Sequence, residues 1–250
     1  MIKTVLGYCT LSYEYCKKYL KVLINNIKYW TFRKIYVILT VLNQQDFDLE
    51  IHSLNSELPY GSNCYILLSD NEAAVIDPSV NFEAVQHILP PEIKVKYILL
   101  THSHFDHFLC IDSWIKNTDA EVCIGKYDSP GLKDSHFNCY KIFLGYEKVF
   151  DGAALELSEG DLLRLGSDTI KVLDTPGHTK GSVTYITNGS AFVGDTVFAG
   201  FGVGSCDLPG GNYYALEKSI DKILNLPVNT EIYSGHGPAT SVSSLKTQRR

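Results

Sequence analysis

Val95-Lys96-Tyr97-Ile98-Leu99-Leu100 runs straight into Thr101-His102-Ser103-His104-Phe105-Asp106-His107, and the junction decides how the rest of the chain is read. The first piece is the short, mostly apolar run expected of a buried strand. The second puts three imidazoles and a carboxylate into six residues, 102–107. An apolar core is a poor place for such a cluster, because polar groups buried without partners cost free energy. Imidazole nitrogen and carboxylate oxygen together are what zinc and similar divalent cations take as ligands. A strand ending in a loop of His and Asp aims those ligands at one point.

Working outward, histidine is scarce: there are eight in 250 residues, and three fall in this window. Two more stand in glycine-flanked turns after expected strands, in Pro176-Gly177-His178-Thr179 and Ser234-Gly235-His236-Gly237. A further acid, Asp195, sits at another strand end in Val193-Gly194-Asp195-Thr196. Glycine beside each ligand lets the backbone turn sharply and approach closely. One Gly-His-Thr or Gly-Asp-Thr alone reads as an ordinary turn. Ligand types at four strand ends of one chain favour a metal centre over that reading. His52, His87 and His136 lie outside the set and are read as structural or surface residues.

The surrounding pattern supplies the strands. Residues 49–54 alternate as a first strand, and 63–68 with 73–76 form a hairpin across Ser69-Asp70-Asn71-Glu72. A helix is expected from Asn81 to Leu89, ending before Pro90-Pro91. Further strands are expected at 162–165, 170–173, 183–186, 191–193 and 231–233, with a helix from Asn212 to about Asn225. Sheet, helix, sheet, helix implies an α+β protein whose two β-rich halves pack face to face with helices outside. Residues 46–250 are treated as one domain.

Composition bounds the partners. A formal charge of −6 gives no basic face for phosphates and argues against nucleic acid. Residues 1–45 hold seven of the 22 basic residues and one acid, Glu14, so they are read as a separate, helical extension. A membrane-surface helix and a signal sequence are weaker alternatives for that segment. Lysines interrupt its apolar stretch, and no small-residue cleavage site follows. No apolar run reaches the ~18–20 residues that span a bilayer. Seven cysteines, irregularly spaced and without Cys-x-x-Cys, point to reduced thiols and a cytoplasmic location.

With these motifs in this order, residues 48–245 resemble the metallo-β-lactamase-fold hydrolases, in particular the glyoxalase II-like (hydroxyacylglutathione hydrolase-like) branch. Asn63-Cys64-Tyr65 and Ile76-Asp77-Pro78 look like the family's opening strands, and Asp207-Leu208-Pro209-Gly210-Gly211 like a loop of its compact members. The resemblance implies a four-layer αβ/βα sandwich with metals at one edge. It assigns His102, His104 and His178 to one metal and Asp106, His107 and His236 to the other, with Asp195 bridging. Asp77 would hydrogen-bond a ligand histidine. Where the family often has Gly-Arg-Thr-Asp, this chain reads Gly204-Ser205-Cys206-Asp207, and Ser79 replaces a glycine common after Asp-Pro.

The activity implied is hydrolysis of small thioesters by a hydroxide bridging two divalent cations, with Asp106 and Asp195 as the catalytic carboxylates. Zinc is the expected metal, with iron or manganese as alternatives. Lactone hydrolysis and a mononuclear iron persulfide dioxygenase of the same fold are the competing readings. β-Lactam hydrolysis is disfavoured, since β-lactamases of this fold usually lack the bridging acid. A non-enzymatic metal-binding module is disfavoured too, because structural zinc closes its shell with four ligands.

Overall fold

In the computed structural model, which describes residues 49–249, the strands form two six-stranded sheets. The expectation for residues 1–45 lies outside the described residues. The first sheet runs β1 (Glu50–Asn55), β2 (Asn63–Ser69), β3 (Glu72–Ile76), β4 (Lys94–Leu100), β5 (Glu121–Gly125) and β6 (Leu155–Leu157) in sequence order. The second is ordered β12 (Thr240–Ser241), β11 (Glu231–Ser234), β10 (Ser190–Gly194), β9 (Val183–Thr187), β8 (Asp168–Asp174) and β7 (Leu162–Leu165).

The period-two alternation of strand side chains sets the layers. Tyr65 and Leu67 of β2, Leu99 of β4 and Cys123 of β5 pack between the sheets against Ile170, Val172, Tyr185 and Phe192. Their neighbours Cys64, Ile66, Ile98 and Leu100 face the other way, onto α2 (Ile111–Asn117) with its buried Ile111 and Trp114. On the far sheet, Ala191, Val193 and Ile232 meet Leu216, Ile220 and Ile223 of α4 (Tyr213–Leu224) and Leu245 of α5 (Val242–Gln248). The result is helix, sheet, sheet, helix: the α+β sandwich expected. Each fully buried Leu, Ile or Phe contributes roughly 1.5–3 kcal/mol relative to an exposed one.

Strand direction then places the site. β3, β4 and β5 run parallel, so the residues after each emerge at the same sheet edge. These are Asp77, the 101–107 loop, and Lys126-Tyr127-Asp128. In the second sheet β10 and β11 are parallel, while β9 is antiparallel to both β8 and β10. The segments after β8, β10 and β11, carrying His178, Asp195 and His236, therefore also share one edge.

One expected element is shorter. The helix begun at Asn81 covers only Phe82–Val85 (α1) and continues as turns through Ile88. Asn81 makes no side-chain cap, and Pro90 disfavours helical backbone at Leu89. The helix at 212–225 keeps its expected start, with Asn212 Oδ1 accepting from Ala215 N at 3.0 Å. Among the described residues, no helix is long and apolar enough to cross a membrane, and the five described cysteines are free.

Candidate metal centre

The 101–107 loop leaves β4 and tightens into a single 3₁₀ turn at Phe105–His107, closed by His107 N donating to His104 O at 3.1 Å. That turn throws His102, His104, Asp106 and His107 toward the second sheet. There the loop ends meet His178, Asp195 and His236. Three groups result in which donor atoms lie within 4.8 Å of one another: His102, His104 and His178; His102, His107 and Asp195; and Asp106, His107 and His236. All seven histidines and aspartates singled out by the sequence are thus brought together. His87 and His136 are exposed, and His52 lies on β1 beside Glu50.

Asp195 occupies the middle. Its Oδ1 is 3.4 Å from His107 Nε2, and its Oδ2 is 3.6 Å from both His178 Nε2 and His236 Nε2. Asp106 Oδ2 lies 3.1 Å from His236 Nε2 and 3.5 Å from His107 Nε2. The centre is buried on its inner side, where His102, His104, His107 and His178 are nearly inaccessible, and open at His236, whose side chain is 41% exposed.

Hydrogen bonds to outer partners fix which nitrogen faces inward for three of the rings. His107 Nδ1 is 2.8 Å from Asp77 Oδ2; a carboxylate accepts, so Nδ1 carries the proton. Thr101 Oγ1 donates its one proton to Asp77 Oδ2 at 2.8 Å, so it accepts from His102 Nδ1 at 3.1 Å. His178 Nδ1 donates to the Ser205 carbonyl at 2.8 Å. Each Nε2 is then left bare toward the centre, the arrangement by which outer partners set the tautomer of metal-binding histidines. Two of these nitrogens, on His102 and His107, and Asp195 Oδ1 are buried with no protein partner. His178 Nε2 and His104 Nδ1 stand 2.9 Å apart, a separation at which two lone pairs repel unless a proton or cation lies between.

Electrostatics agree. Burial, reinforced by the neighbouring imidazoles, holds His102 well below the usual histidine range, and burial with His178 brings His104 down to about 3. Burial also works against charge on His107, but Asp77, Asp106 and Asp195 outweigh it and hold that ring well above the usual range. Asp106 raises His236 in the same way, against burial. Burial opposes ionisation of Asp106 and Asp195, yet the facing histidines pull both below the ordinary carboxylate range. Imidazoles beside ionised carboxylates are a donor set for divalent cations, which would replace the protons that His107 and His236 otherwise attract. The residues fit such a group.

Glycine is required where the halves touch. A Cβ on Gly235 would collide with Asp195 Oδ1 and lie 2.5 Å from His107 Cε1. Gly194 has φ +52° and would drive a Cβ to 2.5 Å from Thr101 Oγ1. Asp77 also takes positive φ, 52°. That strained backbone points its carboxylate back under the loop, where Oδ1 accepts from Thr101 N at 2.8 Å.

A residue missed by the sequence reading is Asp128, just after β5. Its buried carboxylate accepts from Ser103 N at 2.8 Å, Thr179 Oγ1 at 2.7 Å and Gly181 N at 2.6 Å. It therefore ties the 101–107 loop to the turn carrying His178. Burial nevertheless raises its carboxyl above the ordinary range. The available signal was its position, one more acid at a strand end of the same edge.

A cleft of about 370 Å³ opens onto the centre. A model of the metallo-beta-lactamase superfamily matches residues 58–236. The chain belongs to the metallo-beta-lactamase superfamily. Among curated relatives, the probable metallo-hydrolase YqgX of Bacillus subtilis is 37% identical over 195 residues, 76% of this chain and 92% of that protein. A hydroxyacylglutathione hydrolase of Methylobacillus flagellatus is 31% identical, covering 69% of this chain and 60% of its own length. Among solved structures, the BLEG-1 B3 metallo-beta-lactamase is 32% identical with a TM-score of 0.73, and TTHA1623 in a di-iron-bound form is 28% identical with a TM-score of 0.67. Each of these superposes on 80% of this chain and 97% of the other. Both curated relatives are named as hydrolases, YqgX as a probable metallo-hydrolase.

Proposed function

We propose that this superfamily member is a binuclear metal-dependent hydrolase of small thioesters. His102, His104 and His178 would hold one cation and Asp106, His107 and His236 the other. Asp195 would lie between them. The observation that carries this reading is the position of Asp195, whose carboxylate lies within 3.4–3.6 Å of histidines from both groups. Zinc suits the nitrogen and oxygen donors, and iron is an alternative in view of the di-iron relative.

Two divalent cations held there would lower the pKa of a shared water and polarise a carbonyl. The chain's residues do the rest. Asp195 would help to hold both cations and would accept a hydrogen bond from the attacking water. Asp106 and His236 form the open rim where an acyl group enters. Asp77 and Thr101 keep His107 and His102 in the tautomers that leave Nε2 free. A thiolate, with a conjugate-acid pKa of about 8.5, leaves without a general acid. The hydroxyacylglutathione hydrolase among the relatives supports a thioester substrate; a lactone is the second choice.

The test is elemental analysis of the purified protein together with a panel of small thioesters and lactones. Close to two cations per chain and thioester turnover are expected. One iron per chain, with oxygen uptake on glutathione persulfide, would overturn the proposal in favour of the dioxygenase reading.

A further inference from the structure

The cleft over the centre has two apolar walls, one from each half of the molecule. Tyr60, Phe105 and Phe143 form the first, and Phe198, Val203 and Leu208 the second. The first is an aromatic cluster, with ring centroids 6.3 Å (Tyr60 to Phe105), 6.5 Å (Tyr60 to Phe143) and 5.9 Å (Phe105 to Phe143) apart. Its outer members are unusually open for their size: Tyr60 is 60% exposed and Phe143 49%, while Val203 across the mouth is 40% exposed. Contiguous exposed apolar side chains around a concavity are a ligand surface more often than an accident. Tyr60 also holds φ at +66°, a conformation that a bulky side chain adopts only at a cost. The backbone is strained at the residue that presents the outermost ring.

The second observation is charge. Among the described residues lining this cleft there is no lysine or arginine, and its carboxylates, Asp106 and Asp195, face the centre. Recognition of a carboxylated thiol such as glutathione calls for cationic or convergent N–H donors at the walls. An aliphatic or aromatic group needs only apolar area.

We infer that the specificity-determining surface of this site is the Tyr60–Phe105–Phe143 wall, and that it takes an uncharged, apolar substituent of the substrate. The inference rests on the hydrolase reading and narrows it to thioesters whose binding energy comes from a hydrocarbon or aromatic group, not from a charged thiol carrier. The cleft volume suits a group of several carbons beside the reacting carbonyl.

Two matched series of unreactive thioethers test it. S-alkyl-N-acetylcysteamines and S-alkylglutathiones carrying the same butyl, hexyl and octyl chains are titrated calorimetrically into the metal-loaded protein. Affinity is expected to rise about two- to fourfold per methylene in both series, with the glutathione moiety adding less than about threefold. Phe143→Ala should flatten that slope and Phe143→Leu should restore most of it, because Leu returns apolar area without the ring. Affinity independent of alkyl length, or glutathione conjugates binding more than about tenfold tighter than their cysteamine partners, would overturn the inference. The same alkyl series made as thioesters separates the two claims. A steep binding slope without turnover of any thioester removes the hydrolase proposal and leaves the apolar wall standing. Turnover that favours glutathione thioesters regardless of chain length does the reverse.

Discussion

The two halves of the molecule supply the centre in different ways. The first half delivers His102, His104, Asp106 and His107 from one loop after β4, within six residues of chain. The second delivers His178, Asp195 and His236 singly, from the ends of β8, β10 and β11. In the first half, local backbone geometry does most of the positioning. In the second, positions depend on sheet order and on bonds that cross between halves: Val183 N to Thr101 O at 2.9 Å, Asn63 N to Gly235 O at 2.7 Å, and the bonds from Thr179 and Gly181 to Asp128. A concentrated ligand loop is therefore cheap to build, whereas its distant complement needs dedicated fasteners.

Two buried carboxylates embody that contrast. Asp77 works inside the first half, gripping Thr101 and His107. Asp128 touches no candidate ligand and joins the halves. The largest effect is expected from the residue that stands between the two ligand groups: Asp195→Ala should lower metal content below two per chain and cut kcat/KM by more than the ~100-fold that losing an outer partner costs. Metal content unchanged in that variant would show that the two ligand groups do not share Asp195. Next, Asp128→Ala leaves three buried donors unpaired, at about 1 kcal/mol or more each. About 3 kcal/mol of lost stability, or a Tm lower by roughly 6–12 °C, should be read by calorimetry of the metal-free protein. Asp77→Asn keeps a side chain that tolerates positive φ and replaces the acceptor Oδ2, which faces Thr101 Oγ1 and His107 Nδ1, with an amide donor. It should weaken metal binding about 10–100-fold at the Asp106–His107–His236 group, which Asp77 touches directly, and less at the group of His102, which it reaches through Thr101, as a metal titration would resolve. Equal weakening at both groups would mean that the path through Thr101 to His102 matters as much as the direct bond to His107. The smallest effect belongs to removal of residues 1–45, after which metal content and hydrolysis should be retained; loss of either would tie that segment to the catalytic unit.

The same contrast explains what was legible beforehand. His102 to His107 could be read directly, because ligand types crowded into one loop have no bland explanation. His178, Asp195 and His236 gained meaning only from their common setting of strand, glycine, ligand. The layered fold followed from period-two strands and the Asn212-capped helix. α2 and β5 escaped because they are short: Ile111–Asn117 offers scarcely two turns of periodicity, and Glu121–Gly125 has no alternating polar face. Asp128 escaped because its partners are two backbone amides and a hydroxyl, 25 to 53 positions away in the chain. Nothing in a lone Tyr-Asp-Ser marks such a role.

The clasp between Asn63 and the 234–237 turn has a consequence for biosynthesis. Asn63 Nδ2 donates to Ser234 O at 3.0 Å and to Gly237 O at 2.8 Å, so the opening hairpin waits for one of the last strands before its edge is satisfied. During synthesis the loop of three imidazoles emerges more than a hundred residues ahead of that strand. Until the clasp forms, the donors of the first half stand without those of the second, so the full set of His and Asp donors belongs only to the finished fold.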